Sequence, residues 1–264
     1  MSRIIPKIRA RIPKQTQLLK PSLVAVYAFF TAVRSIRLGM SMTLTDSVVF
    51  PTGIHSPVRN MGEMEKLPLG ELLSWTDSLQ PIERSIGMAA LNSCISLAEV
   101  PLFEGNALNV ASQLGKGKHV VVVGHFPHLD EIQRLARKMD ILEKRPQAGD
   151  LPAEDAPRVV PQADVVAMTG VTCLNDTVED LLALKKNGAI FIILGPTVPL
   201  SPVLFDYGVD IIGGALIDDE EKALPMLAQG ATARVLKGCR NVLMPKNPSL
   251  LSGLLGVSSY QAKL

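Results

Sequence analysis

Apolar runs and amphipathic stretches alternate along the second half of this chain. The runs predict strands near residues 119–124, 139–143, 164–169, 189–194 and 209–213, and the stretches between them predict helices near residues 129–138, 177–187 and 219–229. Runs that are apolar on both faces are typical of a parallel sheet covered by helices. Strands that alternate with helices are joined by right-handed crossovers. From about residue 106 onward we therefore predict an α/β fold with a doubly wound, mainly parallel sheet.

The first hundred residues follow a different pattern, with shorter apolar runs and more interruptions. We predict a short helix over residues 14–20, β-rich runs over 23–35 and 40–50 joined by a hairpin at 37–39, and helices over 69–74 and 81–99. Pro101 and Gly105 interrupt the pattern and mark a boundary. The chain is therefore expected to contain a small α+β domain over residues 1–104 and a larger α/β domain over residues 105–264.

Three of the predicted strands run directly into loops that are marked by Gly or Pro. In a parallel sheet the carboxyl ends of the strands share one edge, and ligands bind in the crevice outside it. We therefore expect the three loops to converge and to form a ligand site. Their candidate residues are Gly124, His125, Phe126 and Pro127 in the first loop, Thr169, Gly170, Cys173 and Asn175 in the second, and Gly195, Pro196 and Thr197 in the third.

The first of these loops argues against binding of NAD or FAD. A dinucleotide fold needs a glycine-rich turn so that bare backbone can approach the pyrophosphate. Here Gly124 is followed by two bulky side chains and by Pro127, which lacks a backbone N–H group. Glu143 nevertheless ends the next strand, near the position of the ribose-binding carboxylate in such folds. It either binds an adenosine-type ligand without a pyrophosphate or is a surface carboxylate that pairs with Lys144 or Arg145.

Several side chains near the same edge could bind a metal. These donors are His125, His128, Cys173 and Glu143. Imidazole, thiolate and carboxylate together suit Zn, Ni or Co better than Mg or Ca. If a metal is bound, we expect His125 to be its principal ligand and Cys173 a second one. Two alternatives stay open. Cys173 could act as a nucleophile with His125 as its base, or His125 could only form hydrogen bonds within its own loop.

Composition and charge restrict the partners of the chain. The formal net charge of the 264 residues is only +2, which gives no reason to expect nucleic acid. Residues 1–45 hold eight basic side chains and no acidic one, as in a solvated helix or tail or in an arm that contacts acidic lipid or RNA. An odd number of cysteines, three, favours a reducing compartment, and no apolar run approaches the ~18 residues of a membrane span. We therefore expect a cytoplasmic protein; the sequence leaves its oligomeric state open, a homo-oligomer included.

The loop sequences also resemble a known family. VVVVGHFP, TGVTCLNDTVEDLL and LGPTVPLSPVLFDYGVDIIGG are similar to the Rossmann-like domain of a prokaryotic family labelled "putative heavy-metal chelation". The segment from Trp75 through PIERSIGMAALNS, which ends at Ser93, resembles the end of the enolase N-terminal-like domain that precedes it in that family. The resemblance implies a ligand pocket between the two domains at the carboxyl edge of the sheet. Small residues on the predicted helix 81–99 would bring Glu83 or Asn92 close to that pocket.

Two functions of different classes follow from these observations. The resemblance implies a small-molecule or metal-binding protein whose ligand is a transition-metal ion, a metal chelate or a precursor of a metallocofactor. The alternative is a transferase that uses a nucleotide-like or S-adenosylmethionine-like ligand near Glu143. A third reading, an assembly factor that binds a partner through its basic arm, stays open.

Overall fold

The computed structural model describes residues 3–45, 58–98, 100–254, 256 and 258–260. It contains two compact units, Met1–Ser96 with Leu216–Arg240, and Leu97–Ala215 with Asn241–Leu264. The division after residue 104 stays a prediction of domain organisation, and the compact units differ from it because the first includes residues 216–240. Within the described residues, no helix is both long and apolar enough to cross a membrane.

The first unit is built from short helices and a small antiparallel sheet. Its elements up to residue 96 are α1 (Ile4–Ala10), α2 (Lys14–Leu18), β1 (Leu23–Val26), β2 (Phe30–Arg34), β3 (Leu38–Met42), α3 (Leu69–Ser74) and α4 (Pro81–Cys94), with 3₁₀ helices at Met64–Lys66 and Trp75–Asp77. The strand order is β1-β2-β3, and both pairings are antiparallel. The predicted run over residues 23–35 is thus two strands, because Tyr27 N donates to Phe30 O at 2.8 Å and closes a turn between them. The turn between β2 and β3 lies before the predicted hairpin at 37–39, because β3 already begins at Leu38.

Helix α4 packs tightly on β3, as its small residues predict. Gly39 of β3 lies against the backbone of α4, where an added Cβ would collide with Ala89 O and Ser93 N. The helix ends at Cys94, earlier than the predicted 99, because Ile95 is extended and its carbonyl oxygen accepts from Arg37 Nη1 at 2.5 Å. Residue 99 itself lies outside the described part of the chain.

The second unit alternates strands and helices. In chain order the elements are β4 (Leu102–Glu104), α5 (Ala107–Leu114), β5 (His119–Val123), α6 (Asp130–Leu135), β6 (Lys138–Glu143), β7 (Leu151–Pro152), α7 (Ala156–Val159), β8 (Val165–Thr169), α8 (Val171–Leu174), α9 (Val178–Ala183), β9 (Ile190–Leu194), α10 (Val203–Asp206), β10 (Ile211–Ile217), α11 (Glu220–Ala228), β11 (Cys239–Pro245) and β12 (Ser258–Tyr260). Further 3₁₀ helices lie at Ala153–Asp155, Val160–Gln162 and Pro248–Leu251. Of these, α11 belongs to the first unit, where Ala223 and Leu227 pack with Phe30 and Met40.

The large sheet has the strand order β12-β4-β11-β10-β9-β8-β5-β6-β7. The pairings from β10 through β7 are all parallel, whereas β4 pairs antiparallel with β11 and β12. Successive strands run outward from β5 on one side and from β8 on the other, which is the 3-2-1-4-5-6 order of doubly wound sheets. The predicted fold class is therefore confirmed, and the order reverses between β5 and β8.

Both faces of the central strands are buried, which explains their continuous Val and Ile runs. On one face Val120, Val122 and Val165 form a cluster with Val110 of α5 and Ile132 of α6. The alternate residues of the same strands are also fully buried, among them Val121, Val166, Phe191 and Ile193. Each such side chain contributes about 1.5–3 kcal/mol by leaving water. The rigid strands then fix the positions of the loops that follow them.

Candidate functional site

The loops after β5 and β8 meet at the point where the strand order reverses. Gly124 follows β5 with φ +94°, and a Cβ at this position would lie 3.0 Å from Thr169 Cγ2. Glycine is therefore needed both for the backbone conformation and for the close approach. The loops after β8 and β9 are joined as well, because Gly170 N donates to Leu194 O at 2.8 Å. Gly124, Glu143, Thr169 and Gly195 accordingly lie at one edge of the sheet, as predicted.

His125 is held by two carboxylates at this edge. Its backbone N donates to Glu143 Oε2 at 3.1 Å, and its ring Nε2 lies 2.6 Å from Asp150 Oδ2. The Asp150 side chain is only 4 % exposed, whereas that of His125 is 36 % exposed. Gln147 N also donates to Asp150 Oδ2 at 2.7 Å, and this hydrogen bond, followed by that from His125, holds the pKa of the Asp150 carboxyl below its usual value.

An ionised Asp150 fixes the tautomer of the neutral His125 ring. A carboxylate can only accept, so Nε2 carries the hydrogen and the lone pair of the ring lies on Nδ1. No described residue gives Nδ1 a hydrogen-bond partner. The lone pair of Nδ1 is therefore available to a metal or to a hydrogen-bond donor. The ring is orientated by a buried carboxylate, Asp150, that sequence reasoning did not identify.

Glu143 links the ends of β5 and β6. Its two carboxylate oxygens accept from the backbone of different residues, Oε2 from His125 N and Oε1 from Lys144 N at 2.7 Å. These are hydrogen bonds to backbone N–H groups, and not an ion pair with the side chain of Lys144 or Arg145; the adenosine-binding role of Glu143 stays a prediction.

Asn175 lies where the β8 loop approaches the end of β6. With its amide orientated so that both ends have complementary partners, its nitrogen donates to Thr177 Oγ1 at 2.7 Å and its oxygen accepts from Lys144 Nζ at 3.0 Å. The side chain of Thr177 makes no capping hydrogen bond to α9, and Asp176 before it has φ +63°. Asn175 therefore organises this turn and at the same time contacts the lysine.

Cys173 and Thr197 point away from the solvent. Cys173 in α8 is 1 % exposed, and burial raises the pKa of its thiol to about 12. A side chain this buried is not accessible to a ligand at the edge, and its raised thiol pKa disfavours the thiolate that a nucleophile needs. Both observations argue against the predicted metal and nucleophile roles of Cys173. Thr197 is also buried, at 2 % exposure.

The remaining loop residues have mainly structural surroundings. Phe126 packs against the apolar cluster below the loop, while Pro127 is exposed. Gly195 has φ +120° and donates to Gly213 O at 3.0 Å, and Pro196 after it is half-buried. They shape the edge, and their direct contact with a ligand stays a prediction.

Glu83 and Asn92 have partners inside the first unit. Glu83 accepts from Arg59 Nε and Nη2 at 2.9 and 2.8 Å and from Ser78 Oγ at 2.6 Å. Burial alone would raise the pKa of Glu83, but these hydrogen bonds outweigh it and hold the pKa below its usual value. Asn92 Nδ2 donates to Met40 O at 2.8 Å. Both side chains thus stabilise α4 and its neighbours, and their role in ligand binding stays a prediction.

The donors at the edge do not form a complete metal cage. Within the described part of the chain, no group of three or more His, Cys, Asp or Glu side chains is arranged to hold a metal ion. His125 offers a single nitrogen. Among the described residues, the edge therefore does not supply a complete set of ligands for a bare metal ion.

Comparisons with known proteins agree with the resemblance seen in the loops. Two family models match, DUF4213 over residues 22–95 and DUF364 over residues 106–244, and both are described as "Putative heavy-metal chelation". An uncharacterized protein of Methanocaldococcus jannaschii is 30 % identical over 179 residues, which are 64 % of this chain and 68 % of that protein.

Two crystal structures of DUF364 proteins of unknown function share the fold. The one from Desulfitobacterium hafniense has a TM-score of 0.76 at 24 % identity and covers 92 % of this chain and 98 % of its own. The one from Pyrococcus horikoshii has a TM-score of 0.74 at 20 % identity, with 92 % and 99 % covered. These likenesses extend over both compact units.

Proposed function

This chain belongs to the DUF364 family, and from that premise we propose that it binds a transition-metal ion as a complex with a small organic chelator, at the carboxyl edge of its large sheet. The family description supports metal binding in general terms. The site, the metals Ni, Co or Zn, and the chelated form of the metal are our proposal.

One observation carries this proposal, the pairing of His125 with Asp150. Histidine ligands of metals commonly donate their other ring N–H to a carboxylate, which orientates the ring and raises its basicity. Here the buried Asp150 holds Nε2 and leaves Nδ1 to coordinate. Imidazole nitrogen is a good ligand for Ni, Co and Zn.

The single donor favours a chelate over a bare ion. Structural zinc sites, for example, use four protein ligands, and catalytic sites use three. A metal that already carries an organic chelator needs only one or two further donors, and Nδ1 of His125 supplies one. When bound, such a group would supply a Lewis-acidic metal; the residues of this chain would orientate it.

The transferase alternative has less support. Glu143 does end β6 next to the reversal of strand order, but both of its oxygens already accept backbone N–H groups. The turn at residues 124–127 also lacks the bare backbone that a pyrophosphate needs.

Calorimetric titration of untagged protein tests the proposal. The probes are aqueous Ni²⁺ and its complexes with nitrilotriacetate and with tris(2-aminoethyl)amine, two tetradentate chelators that leave the same two positions open. We expect His125→Ala to lower the affinity for both complexes by at least about tenfold, ~1.4 kcal/mol. Wild-type affinity should also fall on acidification, because protons compete with the metal for imidazole nitrogen.

His128→Asn is the matched control. His128 lies in the same loop, is exposed, and has φ +62°, a conformation that Asn tolerates. It should leave both affinities unchanged. Equal affinities of the wild type and His125→Ala for both complexes would overturn the proposal, as would an equal loss in His128→Asn. Binding of aqueous Ni²⁺ as tightly as of either complex would overturn the chelated form.

A further inference from the structure

The side chain of Lys144 links the end of β6 to Asn175 at the carboxyl edge of the sheet. Lys144 is the first residue after β6, and its backbone N is tied to Glu143 Oε1. Its Nζ lies 3.0 Å from the side-chain oxygen of Asn175, which follows α8. β6 and β8 flank β5 on opposite sides, and Lys144 and His125 both lie at the carboxyl edge of these strands.

No carboxylate among the described residues neutralises this ammonium group. Two acids of the same edge have other partners: Glu143 accepts from backbone N–H groups, and Asp150 accepts from His125 and Gln147. The oxygen of Asn175 orientates Nζ without cancelling its charge, and two of the three ammonium hydrogens remain available.

Lysines at the opposite edge of the same sheet are placed differently. Three of them pair with aspartates, Lys138 with Asp140 at 2.7 Å, Lys185 with Asp210 at 2.5 Å, and Lys186 with Asp164 at 2.8 Å. These three ammonium groups are neutralised by aspartates, whereas no described aspartate or glutamate pairs with Lys144 at the carboxyl edge, where His125 also lies.

We propose that Lys144 recognises a carboxylate of the chelator, so that the ligand of this site is a negatively charged polycarboxylate complex of the metal. The inference rests on the function proposed above. A carboxylate chelator supplies both groups that the edge can bind, an open metal position for His125 Nδ1 and a free carboxylate oxygen for Lys144. A complex of the same metal with a neutral amine chelator is positively charged, and Lys144 repels it.

The two nickel complexes introduced above test this inference, because they differ in charge and share the metal and its open positions. Wild type should bind the nitrilotriacetate complex at least about tenfold tighter than the tris(2-aminoethyl)amine complex, ~1.4 kcal/mol in free energy. Lys144→Gln should abolish that preference by weakening only the first complex, and Lys144→Arg should retain it. Lys118→Gln is the control, since Lys118 is an exposed lysine at the amino end of β5.

The outcomes separate the two proposals. The proposed role of Lys144 is wrong if Lys144→Gln keeps the wild-type preference for the nitrilotriacetate complex, or if Lys118→Gln loses that preference equally. In either case the His125→Ala result still decides the proposed function. If His125→Ala leaves both affinities unchanged, both proposals fail. Lys144 is exposed, so circular dichroism should show the Lys144→Gln variant folded.

Discussion

Asp150 Oδ2 lies 2.6 Å from Nε2 of His125, although 25 residues separate the two in the sequence. The carboxylate is almost fully buried and the imidazole is one-third exposed, so the buried partner positions the accessible one. Asp150 is thereby a positioning residue for whatever His125 binds.

Asp150→Asn should weaken binding of the nickel complexes without removing the His125 donor. A neutral amide holds the Nε2–H tautomer less firmly than a carboxylate, and losing such an outer partner commonly costs 10–100-fold in metal affinity; we expect about tenfold. Calorimetry measures the affinity. The dependence of this affinity on pH should also change, which a purely structural role of Asp150 would not cause. Asp155→Asn, in an exposed pair with Arg158, is the control and should change neither. Wild-type affinity and pH profile in Asp150→Asn would contradict this role.

Glu83→Gln should destabilise the protein in a pH-dependent way. Its ion pair with Arg59 is buried on the Glu83 side, which is 3 % exposed, so the substitution should cost about 2 kcal/mol at neutral pH. Because the folded pKa of Glu83 lies below the ordinary ~4.3 of the unfolded chain, the stabilisation is complete above that value. It should be lost as pH falls through the folded pKa.

Urea unfolding at several pH values measures this difference. The difference in the free energy of unfolding between wild type and Glu83→Gln should be constant from about pH 7 to about pH 5 and should decrease below about pH 4. Glu63→Gln, which removes an exposed pair with Lys66, should cost no more than ~0.5 kcal/mol. A gap that stays constant down to the acid transition would show that the Glu83 carboxylate contributes no charge-dependent stability.

Alkylation should distinguish the three cysteines. Burial raises the pKa of all three thiols, but Cys94 and Cys173 are each 1 % exposed, whereas Cys239 is only half-buried. Iodoacetamide at about pH 8 should therefore modify Cys239 at least about tenfold faster, as mass spectrometry of peptides would show. The nickel complexes should not change the rate at Cys173. Fast modification of Cys173, slowed by nickel, would restore it as a ligand.

The second unit could be predicted from the sequence because its central strands are buried on both faces. Runs such as residues 119–123 carry that signal without any knowledge of their neighbours. Strands β4 and β11 were missed for physical reasons. The three residues of β4 lie between Pro101 and Gly105, and the polar pair Arg240 and Asn241 follows Cys239 at the start of β11.

The first unit was harder to predict because its signals are short. Residues 1–45 drew attention through their basic side chains, yet Ile4, Ile5 and Ile8 bury one face of α1. Arg9 on that helix pairs with Asp77 at 2.6 Å, so part of the predicted basic arm is a folded and partly neutralised helix.

Strand ends predict which residues share the carboxyl edge, and the structure brings His125 and Glu143 together there. Whether these residues bind a ligand stays a prediction. Asp150 lies in a proline-rich connection that looked irregular, although it contains β7 and α7. Lys144 was considered only as a partner of Glu143. Contacts between side chains of different loops produce no periodic pattern in the sequence, so only the structure shows them.

The path of the chain separates the order of synthesis from the order of folding. Domains usually fold as units, the amino-terminal one first as it leaves the ribosome. Here the first unit receives Ala223, Leu227 and Leu236 from a segment made more than a hundred residues after Phe30 and Met40, with which they form a cluster. The apolar surface around Phe30 and Met40 therefore lacks its final packing partners until most of the chain has been translated.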